Sequence, residues 1–116
     1  MPTYHYKIDR ERFFATETFT GELDVDFIAR SQAMLRADKD FDDTFKILVD
    51  FRNCSMAILP QELDRAVEHH EGIFAKTYAR TAILTSTPRE TAFASLVSMR
   101  VKSRIIKMPL RRFEWV

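Results

Sequence analysis

Phe45-Lys46-Ile47-Leu48-Val49-Asp50-Phe51-Arg52 is the stretch on which the fold turns. Its residues alternate, with Phe45, Ile47, Val49 and Phe51 on one side and Lys46, Leu48, Asp50 and Arg52 on the other. A period of two is the repeat of an extended strand, whose successive side chains point to opposite faces. The spacing therefore predicts a strand over 45–52 with one apolar face and one wetter face.

Upstream, Asp24 is placed to cap a helix whose inward face carries Phe27, Ile28, Ser31, Met34 and Leu35 and which ends near Asp38. Before it, Tyr4, Tyr6 and Ile8 alternate with His5 and Lys7. Asp9 to Arg12 break that pattern, and Phe13 to Thr20 resumes a run of aromatics and threonines suited to a second strand. A β-hairpin is the economical reading.

Downstream, Pro60 suits the first turn of a second helix, where its missing amide donor is not needed. Leu63, Ala66, Val67, His70, Ile73, Phe74 and Tyr78 follow along one stripe. Ala82 to Leu84 form a short apolar strand. Thr87, Pro88 and Glu90 then supply a cap, a first-turn proline and a capping-box acid for a third helix bearing Phe93, Leu96, Val97 and Val101. Ile105 to Met108 reads as a last strand before Pro109.

Strand and helix thus alternate behind the hairpin. The expected fold class is α/β, a mixed sheet made of an N-terminal β-hairpin followed by repeated βα units. Right-handed crossovers taken in one direction stack the helices mainly on one face. The other face should stay open, in agreement with the polar set Lys7, Lys46, Asp50 and Arg52. With 116 residues, 46% of them hydrophobic, and neither repeat nor linker, residues 1–116 read as one domain.

The 18 basic and 17 acidic residues nearly cancel, so the strongly basic footprint of a nucleic-acid binder is missing. The first residues lack a hydrophobic signal core and Cys54 is the single cysteine, which together lead us to expect a cytoplasmic protein.

Candidate chemistry is sparse. His69 and His70 are adjacent and would point about 100° apart on a helix, so they cannot chelate one metal as a spacing of four would. The loop after Asp50, with Asn53, Cys54 and Ser55, follows the carboxyl end of a strand, where open α/β sheets gather ligands. Thr85, Ser86 and Arg89 surround a helix start and could hold an anion, although Thr87 as a simple cap explains the same residues. Arg100, Lys102, Arg104, Lys107, Arg111 and Arg112 crowd the last stretch beside Phe113 and Trp115, a combination suited to an acidic partner or an anionic lipid surface, although a solvated helix face with core residues among it explains the same residues. No set of residues calls for a cofactor or a metal.

The order of elements, with Ile47-Leu48-Val49-Asp50 running from strand to loop and helix, resembles the SpoIIAA-like or STAS domains. So do Phe19-Thr20-Gly21-Glu22-Leu23 leading into the first helix, Ala82 to Thr85 as the next core strand, and Phe113-Glu114-Trp115-Val116 as a shortened ending. Members of the anti-anti-sigma branch carry a phosphorylatable hydroxyl in an Asp-Ser-Ser/Thr-Gly turn at the start of the following helix. Here that segment reads Ile58-Leu59-Pro60-Gln61-Glu62 and offers no hydroxyl, with Ser55 the nearest upstream. The resemblance implies a non-enzymatic regulatory or protein-interaction domain without the phosphoswitch. Its partner would be another protein, or a second copy in a homodimer. The alternatives are a small apolar-ligand or lipid binder, suggested by the aromatics and by Met34, Met56, Met99 and Met108, and a small enzyme using Asp50, Cys54 and Ser55.

Overall fold

A computed structural model describes residues 1–56, 62, 65, 81–88, 91, 92, 95 and the backbone of 104–107. Its elements are β1 (Thr3–Asp9), β2 (Phe14–Leu23), α1 (Val25–Ala37), β3 (Lys46–Met56), β4 (Thr81–Thr85) and β5 (Arg104–Lys107). They form one mixed sheet in the order β1-β2-β3-β4-β5, so the α/β class and the hairpin are as the sequence implies. β1 runs antiparallel to β2, and β2, β3, β4 and β5 are parallel. Leu63, Ala66, Val67, His70, Ile73, Phe74 and Tyr78 of the expected second helix, and Phe93, Leu96, Val97 and Val101 of the third, lie outside those described, while Arg65 of the second is helical. The start of the third is visible, with Pro88, Thr91, Ala92 and Ser95 helical and the Thr91 amide donating to the Thr87 carbonyl at 3.0 Å.

α1 begins where its cap predicts. The Asp24 carboxylate accepts from the Phe27 amide at 2.7 Å, satisfying one of the donors that the first helical turn cannot use internally. It ends at Asp38, whose extended backbone stops the helix. Its buried stripe is Val25, Ile28, Ser31, Gln32 and Leu35. Met34, expected inside, is 58% exposed, because it sits about 100° around the helix from Leu35 while Gln32 falls on the stripe.

The apolar core lies between α1 and one face of the sheet. Phe19, Ile47, Val49, Phe51 and Ile83 meet Leu23, Ile28 and Met56 there. Phe19 is its hub, with ring centroids 4.8 Å from Tyr4, 5.1 Å from Phe51 and 6.4 Å from Phe27.

β3 continues four residues past the expected Arg52, and it does so through a bulge. Thr18 pairs with Asp50 but Thr20 pairs with Asn53, so Phe51 and Arg52 together face the single residue Phe19. An extra residue reverses the alternation beyond it. Phe51 points to the core, and after the bulge Cys54 packs against the same core while Met56 is part of it.

Gly21 is the one position in β2 that a side chain would break. Its φ is +86°, and an added Cβ would lie 2.6 Å from the Met1 carbonyl oxygen and 2.9 Å from the Pro2 Cα, both of them backbone. Gly21→Ala is expected to destabilise the fold by about 1–3 kcal/mol, the usual range for a non-glycine residue forced to positive φ with a close contact. Urea denaturation measures it, and a loss under about 0.5 kcal/mol would show that the strand end relaxes freely.

Candidate functional site

The carboxyl end of β4 lies beside the middle of β3, Asp50 pairing with Leu84, and this brings together much of the set expected from the sequence. Asp50 is not part of an open polar face. It is 4% exposed, and its carboxylate is occupied by Arg52. Oδ1 accepts from the Arg52 backbone amide at 3.0 Å and from Nε at 2.9 Å, and Oδ2 accepts from Nη2 at 2.8 Å. A guanidinium fork is suited to this two-oxygen grip, and the side chains are 17% (Arg52) and 6% (Asp50) exposed. Of the four residues expected on the open face, Lys7 and Lys46 are exposed, whereas Asp50 and Arg52 neutralise each other under cover.

Ser86 donates its hydroxyl to the Arg52 carbonyl at 2.9 Å, tying the end of β4 to the bulge. Thr85 is fully buried, and its hydroxyl lies 2.7 Å from that of Thr91, which in turn donates to the Thr87 carbonyl at 2.7 Å. These hydroxyls join strand to helix start. The bulge splits the loop residues. Asn53 and Ser55 are exposed, while Cys54 is half-buried, packs against the core, and sets its thiol 3.2 Å from the Phe51 carbonyl. Arg89, Arg111, Arg112 and Trp115, together with His69, His70 and the phosphoswitch segment up to Gln61, lie outside the described residues.

A second polar group escaped the sequence reading. Glu17 shares the α1 side of β2 with Ala15 and Phe19 and is completely buried. The Tyr4 hydroxyl donates to its Oε2 at 2.6 Å, and its Oε1 is buried without a hydrogen-bonding partner. Burial pushes the Glu17 carboxyl up to about 7, against the opposing pull of the Tyr4 hydrogen bond and the Arg36 charge. Burial also raises Tyr4, and the charge of Glu17 adds to it. Beside them the Tyr6 hydroxyl donates to Asp38 at 2.7 Å, which raises Tyr6. Asp38 is held low, first by the Asp40 backbone amide and then by Tyr6. The signal was present in the sequence: a charged residue at an inward position of an alternating strand.

On the outer side of the hairpin an open depression of about 440 Å³ is lined by His5, Tyr6, Lys7, Phe14, Thr16 and Thr18. Among the described residues, no three His, Cys, Asp or Glu side chains come together as metal ligands would, and no helix is long and apolar enough to cross a membrane. No protein-family model matches the chain, and no curated protein matches it.

Proposed function

We propose that the chain is a regulatory or protein-interaction domain of SpoIIAA-like type that works by contact rather than by chemistry and lacks the phosphorylated hydroxyl of the anti-anti-sigma branch. The observation that supports this most is the state of the strand ends. Asp50, Arg52 and Ser86 are joined by structural hydrogen bonds and Thr85 is taken up by Thr91, while Asn53 and Ser55 beside them face solvent. The consecutive strand order behind an antiparallel edge strand fits the same family. Affinity purification from native extract after mild crosslinking tests the reading. The same protein, or a second copy of the chain, should be recovered each time, and Asn53→Ala/Ser55→Ala should reduce the yield. Repeated recovery of no protein would sink it.

A second reading, binding of a small apolar ligand, draws on the depression beside Phe14. Native mass spectrometry separates the two. A stoichiometric small-molecule adduct on the purified protein supports the ligand reading, and a bare monomer or dimer supports the contact reading.

A further inference from the structure

Beneath α1, Glu17 lies out of reach of solvent, with partly exposed groups of β1 and of α1 and its C-terminal loop around it. β2 supplies Glu17, with Oε2 on the Tyr4 hydroxyl of β1 and Oε1 unpartnered. On the buried stripe of α1, Gln32 is 1% exposed and neither of its carboxamide atoms has a hydrogen-bonding partner. One turn further on is Arg36, whose guanidinium lies 4.7 Å above the Phe41 ring and whose charge reaches Glu17. β1 sets Tyr6 opposite Glu17, with Asp38 and Asp40 acting on that hydroxyl, and Asp43 acts on Arg36. β3 places the uncharged Val49 alongside.

This surrounding suits a neutral carboxyl. An ionised one would keep an unpartnered oxygen in apolar cover, which strongly disfavours the charged form. Arg36 and the Tyr4 hydroxyl favour the ion, yet burial outweighs both. We propose that Glu17, on the hairpin face beneath α1, is a proton-operated latch: α1 stays seated over it while the carboxyl carries its proton and loosens when that proton passes to water. The step is a simple acid dissociation: the carboxyl O–H bond breaks, the electron pair stays on the oxygen, and the carboxylate regains hydration as α1 lifts.

The sign follows from linkage. The closed form holds its proton up to about 7, whereas an opened Glu17 ionises near its ordinary value of 4.5. Docking of α1 is therefore strongest in acid, weakens as pH rises between those values, and levels off above them.

Amide hydrogen exchange at about pH 5 and about pH 8, corrected for the intrinsic rate, reads the opening of α1 directly. In the wild-type chain the opening equilibrium of α1 should rise at least about tenfold between the two, with β3 and β4 unchanged, and in Glu17→Gln it should stay level. Identical pH profiles in the two proteins, or equal rises in α1 and the central strands, would overturn the latch. Should Glu17→Gln not fold, the carbon-13 carboxyl shift of Glu17 in the wild-type chain decides. A midpoint near neutrality with accompanying shifts in α1 amides supports the latch, and a midpoint at the ordinary carboxylate value overturns it.

Discussion

Phe19→Ala should lower the unfolding free energy by about 3–5 kcal/mol, the range for removing a fully enclosed aromatic side chain whose cavity cannot collapse. The ring is 0% exposed and meets Tyr4 and Phe51 within the sheet and Phe27 from α1, so its loss opens a void that both layers share. Phe19→Leu retains most of the volume and should lose roughly half as much. Chemical denaturation followed by tryptophan-independent circular dichroism measures both. A loss below about 1 kcal/mol for the alanine variant would mean that α1 does not rest on the sheet as described.

Asp50→Ala is expected to be nearly as damaging, at about 2–4 kcal/mol. Removing one partner of a buried pair strands the other charge, which typically costs about 3–5 kcal/mol, and the partial exposure of Arg52 reduces that figure. The same carboxylate also anchors the Arg52 backbone amide, so the bulge loses its brace in the same step. Arg52→Lys keeps the charge but not the fork, and should fall between wild type and Asp50→Ala. Replacing both residues by apolar ones of similar volume should recover much of the loss. If the double replacement is no better than Asp50→Ala, the pair acts through backbone geometry and not through charge.

How far these features were legible depends on what fixes them. The hairpin, the Asp24 cap, the end of α1 near Asp38 and the strands around Ile47 and Ile83 are written in local periodicity, and each emerges close to its expected place. Met34 misled because hydrophobicity ranks it above Gln32, whereas the angle around the helix is what decides burial. Glu17 was passed over because a charge suggests solvent, even though its neighbours Ala15 and Phe19 point inward. At the candidate site, the proximity of Asp50 to Ser86 followed from β3 and β4 being neighbours. The pairing of Asp50 with Arg52 could have been read too, since residues two apart share a face of a strand, but the inward turn of Cys54 could not, because it arises from a register shift that only pairing with β2 creates.

That shift has a consequence for kinship. A protein of the same architecture with a regular third strand would carry one residue fewer between the positions of Asp50 and Cys54. Aligned without a gap, the two chains would match through Asp50 and then run out of phase. Every inward residue of one from Cys54 onward would then lie against an outward residue of the other. Relatives of this chain should therefore sort into two classes by a single-residue insertion at this point, and the hydrophobic positions beyond it should agree within each class and only after a gap between them.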